Sequence, residues 1–103
     1  MKIKELYGME KAMHQSSLLI KIYLGQIINQ LLVSQRWKQV ISILKENGVF
    51  YSRGELSFAR RIYVFCDQYP KFRLVSLPLR TIKNNISIIE KIVENEKNFW
   101  SDN

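Results

Sequence analysis

Apolar residues in this chain recur at helical spacing, and the clearest run lies between Tyr51 and Pro70. Phe58, Ala59, Ile62, Tyr63, Phe65, Cys66 and Tyr69 follow one another at three- and four-residue intervals, the period of a buried helical face. Arg53, Ser57, Arg60, Arg61, Val64 and Gln68 then share the opposite, outward side. Ser52-x-x-Glu55 marks the start as a capping box, the serine accepting a backbone N–H and the glutamate reaching back. Pro70 marks the end, because it has no N–H to donate and pushes Tyr69 out of helical geometry.

Upstream, Arg36 to Gly48 predicts a second amphipathic helix. Trp37, Val40, Ile41 and Leu44 occupy i, i+3, i+4 and i+7, while Arg36, Lys38 and Lys45 lie off that set. Asn47-Gly48 is a helix stop, with glycine free to adopt a positive φ. Val49, Phe50 and Tyr51 are too apolar for a plain loop. They either tuck under the helix pair or form a very short strand.

Leu18 to Ser34 is the most hydrophobic element, apolar around most of its circumference. It is either a central core helix or a helix packed on two sides, once against its own domain and once against a partner. Gly25 within it costs ~1 kcal/mol relative to alanine, which points to a close helix crossing. In the first seventeen residues Ile3, Leu6, Tyr7, Met9 and Met13 allow an amphipathic helix, with Gly8 a place to break it. Ser16 and Ser17 either cap a new helix or lie inside one long one. Residues 1–17 are accordingly a separate arm or helix, or the first turns of the next.

Downstream of Pro70, Leu74, Leu77 and Leu79 alternate loosely, and Pro78 argues against a central strand. This is either a minimal extended segment near 72–78 or a linker into one more helical turn. Asn84 to Trp100 predicts a final helix, with Ile86, Ile89, Val93 and Trp100 on one ridge and Ile88, Ile92 and Phe99 beside it. Ser101 to Asn103 is read as a frayed tail. The expected fold is all-α: one domain over residues 1–103, a compact bundle of four or five helices around a helix-turn-helix-like core.

Composition narrows the function classes. The chain has 103 residues, 47% hydrophobic and 24% charged, as in ordinary globular domains. One cysteine, Cys66, excludes an internal disulfide and suits a reducing, cytoplasmic setting. His14 is the only histidine, so no zinc site of Cys and His can be assembled, and it reads as a surface or hinge residue. The N-terminal residues carry no signal-peptide pattern. The run from Leu18 to Val33 is too short, and too broken by Lys21, Gln26, Asn29 and Gln30, to span a membrane.

Charge changes the picture most. The formal net charge is +7, and residues 36–83 alone carry ten Lys and Arg against three acidic residues. Residues 84–103 are net −2 by formal charge. A basic excess centred on the two-helix pattern is the footprint of a phosphate-backbone binder. Arg53, Ser57, Arg60 and Arg61 are the candidate groove-facing residues, since arginine pairs bidentately with guanine. Lys38, Lys71, Arg73, Arg80 and Lys83 are candidate flanking phosphate contacts. The plain alternative is a solvated helix face whose arginines pair with Glu55 or Asp67.

No catalytic constellation accompanies these residues. There is no glycine-rich phosphate loop and no nucleophile elbow, so no enzyme, cofactor or metal is expected. Glu90, Glu94 and Glu96, interspersed with Lys91 and Lys97, read as a solvated helix face rather than a metal site. Cys66 reads as an inert core thiol.

Three stretches resemble the N-terminal domain of the YhcG-type family of bacterial and mobile-element proteins. They are IYLGQIINQ (Ile22 to Gln30), RWKQVISIL (Arg36 to Leu44) and YSRGELSFARRIYVFCDQYP (Tyr51 to Pro70), followed by Leu77-Pro78 and the pair Phe99-Trp100. Ser52, Arg53, Leu56, Arg60, Phe65, Tyr69 and Pro70 match that family's pattern. The resemblance implies a helical, helix-turn-helix-like module of the kind that precedes a PD-(D/E)XK nuclease-like domain. The nuclease-like domain itself is not among these 103 residues.

The resulting expectation is a non-enzymatic protein that binds duplex DNA, with a homodimer supplying two half-sites. Its rival is a protein-interaction module, an inhibitor or adaptor that docks a protein partner through Leu18 to Val33 or Ile86 to Trp100.

Overall fold

In the computed structural model, which describes residues 2–13 and 17–101, two helices meet where Gly25 leaves room. A Cβ on Gly25 would lie 1.9 Å from the carbonyl oxygen of Ala59 and 2.7 Å from Cβ of Tyr63. Only a residue without a side chain lets the two backbones come so close. The helices are α2 (Leu18–Leu31) and α4 (Arg53–Gln68), and their pairing is the most extensive in the molecule.

The remaining elements are α1 (Lys2–Met13), α3 (Trp37–Glu46), a 3₁₀ helix (Pro70–Leu74), α5 (Leu79–Asn84), α6 (Ile86–Asn95) and α7 (Lys97–Ser101). The fold is all-α, with no strand among the described residues. The helices outnumber the four or five expected because the stretch after Pro78 forms α5 and the predicted last helix is divided at Glu96 into α6 and α7. Asn85 and Glu96 take φ of −123° and −114° and close α5 and α6. Asn85 donates its side-chain amide to the carbonyl of Thr81 at 2.9 Å, a local bond that competes with continued helix.

The predicted starts and stops have visible causes. Ser52 accepts the Glu55 N–H at 3.1 Å, and Ser17 accepts that of Ile20 at 3.2 Å. Ser17 therefore caps a new helix; His14 and Ser16 lie outside the described residues. Glu55 does not complete the capping box at Ser52, and lines a cavity instead. At the end of α3, Gly48 has φ 77°. The Val49 N–H bonds the Leu44 carbonyl at 2.8 Å, and the Gly48 N–H bonds that of Lys45 at 3.1 Å. With Val49 packed beside Leu44, this is a complete Schellman ending. Val49 and Tyr51 tuck beneath the helices while Phe50 points out.

Gly8 does not break α1, which docks as a separate helix through the fully buried Ile3. Residues 75–78 run extended into α5 without pairing as a strand.

Two apolar clusters flank the α2–α4 pair. One joins Leu24, Ile28 and Ala59 to Ile3, Val40, Leu44 and Val49 from α1, α3 and the loop after it. The other joins Ile22, Ile62, Phe65 and Cys66 to Phe72, Ile82, Ile86 and Val93. α2 is thus the central core helix, although Leu19 on it remains exposed. The predicted buried side of α4 is buried in full apart from the half-buried Tyr63, and the predicted outward side is exposed throughout. No helix among the described residues is long and apolar enough to cross a membrane.

Candidate nucleic-acid interface

The outward side of α4 forms the floor of a groove, with the start of α3 as one wall and α6 as the other. The groove encloses about 350 Å³ and takes in Trp37, Ser57, Arg60, Arg61 and Glu90. Trp37 also faces a second hollow of about 400 Å³ lined by Lys38, Lys45 and Arg53. One half-buried indole therefore stands between two depressions that together hold five cations. Among the described residues Glu90 is the only carboxylate lining either.

Each arginine is held by a different device. Arg53 places its guanidinium 5.2 Å from the centre of the Trp37 ring, a cation–π contact. Arg60 donates its Nε–H to Oδ1 of Asn29 on α2 at 3.1 Å. Arg61 donates from Nη2 to the carboxylate of Glu90 and, at 3.4 Å, to the hydroxyl of Ser87. The ion-pair partner comes from α6, and not from Glu55 or Asp67 on the arginine's own helix. The Arg61 side chain is still 47% exposed. A guanidinium has five N–H donors, so these bonds orient the groups and leave donors facing solvent.

The nine residues singled out in the sequence separate into three places. Lys38, Arg53, Ser57, Arg60 and Arg61 gather around Trp37. Arg80 and Lys83, on α5, line a different cavity together with Glu55 and Phe58. Lys71 sits 4.3 Å above the Phe99 ring, and Arg73 is exposed on the 3₁₀ helix. Lys45 belongs with the first group and was readable only as a charge off the apolar set. Trp37 reads as core from its spacing, yet half of its role is to wall the groove. Nothing in the sequence pointed to Asn29 or Glu90 as the polar partners of Arg60 and Arg61, because both come from other helices.

Burial pushes the Cys66 thiol up to about 12, opposed in part by the Arg73 charge. Such a thiol is neutral and unreactive near neutrality. Among the described residues no three His, Cys, Asp or Glu side chains gather as a metal ion would require. No protein-family model, no curated protein and no solved structure matches the chain.

Proposed function

We propose that the protein is a non-enzymatic module that binds duplex DNA through the basic surface around Trp37. The observation that carries this reading is the convergence of Lys38, Lys45, Arg53, Arg60 and Arg61 on one surface with, among the described residues, a single carboxylate, Glu90. Backbone phosphates are regularly spaced anions, and a row of oriented guanidinium groups is the matching donor array. In this reading α3 and α4 act as a helix-turn-helix pair, joined through the Gly48 ending, and Ser57 and Arg60 meet base edges. The resemblance to the YhcG-type N-terminal domain fits the same role.

The test is fluorescence anisotropy with labelled duplex at two salt concentrations. The expected outcome is an affinity that falls steeply with salt, with a log–log slope of roughly −0.9 per phosphate neutralised. The double variant Arg60→Ala/Arg61→Ala should weaken binding and lower that slope by about 1, the phosphate contact of Arg61, while its circular dichroism is unchanged. Salt-insensitive or absent binding would overturn the reading. Light scattering on the same samples reports whether two copies assemble.

One observation favours a second reading. Ile88, Ile92 and Phe99 are 60%, 51% and 56% exposed, an apolar strip along α6 and α7. Such a strip suits docking to another protein. That reading expects an association that tolerates salt and is lost in Ile88→Ser/Ile92→Ser.

A further inference from the structure

A cavity of about 640 Å³ opens between α1, α2, the start of α4 and α5. It shares no lining residue with the surface at Trp37. Its volume is in the range of small-ligand sites, roughly 300–1,000 Å³.

The inner wall is aromatic. Tyr51 and Phe58 are buried there, Tyr7 is half-buried, and Phe50 stands 62% exposed at the mouth. The Tyr51 ring is fixed from three directions. Its hydroxyl donates to the carboxylate of Glu10, its face carries Nζ of Lys21 at 5.0 Å, and Tyr7 meets it edge-on at 5.0 Å. Lys21 and Glu10 are themselves paired at 3.2 Å, so their charges cancel within the wall.

The charges left over are Lys11, Arg80 and Lys83 against Glu55, a net positive lining. Lys11 and Lys83 rest over the rings of Tyr7 and Phe58, at 5.4 and 5.8 Å. Arg80 has no hydrogen-bond or ion-pair partner among the described residues. A flat apolar body satisfies the rings, and a compact dianion satisfies the cations. The Glu55 carboxylate, unbonded among the described residues, accepts from hydroxyl or amino groups.

We propose that this cavity binds a nucleoside monophosphate, its base against Phe50 and Tyr51 and its phosphate between Arg80 and Lys83. The proposal stands apart from the DNA reading, because the two surfaces have no residue in common. Inorganic phosphate alone leaves the rings without a partner, and a neutral nucleoside leaves the cations without one.

Calorimetric titration of the full chain with adenosine monophosphate, adenosine and inorganic phosphate tests it. Saturable binding of the monophosphate is expected, at least tenfold tighter than either fragment. Arg80→Ala/Lys83→Ala should weaken it by about tenfold or more, and Phe50→Ala by roughly tenfold, as loss of one stacking surface does. All three positions are exposed, and circular dichroism checks that the variants fold. The monophosphate affinity should survive Arg60→Ala/Arg61→Ala, which separates this result from that of the DNA test. Absence of binding at millimolar monophosphate, or equal affinity for all three probes, would overturn the proposal. So would full affinity in the Arg80/Lys83 variant.

Discussion

The two cation-rich surfaces of the protein border the same helix but hold their charges differently. Around Trp37 the charge is mostly guanidinium, oriented by Asn29, by Glu90 with Ser87, and by the indole ring. Beside Tyr51 and Phe58 two of the cations are ammonium groups resting on rings, and Arg80 is unbonded among the described residues. A guanidinium bonded along one edge keeps its other donors at a fixed angle, whereas an ammonium can turn to meet what arrives. The first arrangement suits a run of phosphates; the second suits one compact anion attached to a flat body. Net charge alone does not distinguish these partners, because both surfaces contribute to it. What holds each charge, and the shape around it, does.

The strongest way to break both surfaces at once is Gly25→Ala. The added Cβ meets the Ala59 carbonyl, a backbone atom that cannot swing aside, so α2 and α4 must separate. We expect a loss of about 3 kcal/mol or more in urea unfolding, and weaker binding at both surfaces. Stability within about 0.5 kcal/mol of the parent would show that the pair has slack, since that is the range of neutral surface changes. Next in size are the double variants at the two surfaces, Arg60→Ala/Arg61→Ala and Arg80→Ala/Lys83→Ala, each of which should weaken one binding event and spare the other.

Alkaline pH should weaken the fold as a whole. Burial raises Cys66 from 9.0 to about 12, so the folded chain keeps its proton where the unfolded chain releases it. Burial and the bond to Glu10 raise Tyr51 as well. A raised pKa contributes stability that is complete below the unfolded value and lost above it. Unfolding free energy should therefore hold steady to about pH 9 and decline toward pH 12. Cys66→Ala should flatten the first part of the decline, and an unchanged slope in that variant would contradict the assignment.

The smallest expected effect sharpens the account of the groove. Glu90→Gln removes the carboxylate from a solvent-exposed pair, so stability should shift by less than about 1 kcal/mol. Duplex affinity at low salt should rise by about two- to threefold in anisotropy, as expected for one fewer anion near the phosphates. A fall in affinity would mean that orienting Arg61 matters more than freeing it.

Much of the architecture was legible because its signals are local. The Gly48 ending, the Ser52 cap and the two sides of α4 follow from residue type and spacing within a few positions. Gly25 announced a close crossing without naming the helix that crosses. The division of the last helix was less legible. Its apolar ridge of Ile86, Ile89, Val93 and Trp100 runs on through Glu96, where the helix does not.

The sequence by itself determined that the chain is helical, where α3 stops, where α4 starts and stops, and which side of α4 faces out. These depend on hydrogen bonds and burial periodicity within one turn or two. Only the tertiary structure decided which charges stand together. Glu90 reaches Arg61 across 29 residues, and Glu10 reaches Tyr51 across 41. Arg80 and Lys83 face a cavity rather than the groove because α5 packs beside Phe58. Spacing along one helix fixes a face, but the neighbours of that face come from distant segments brought in by the core.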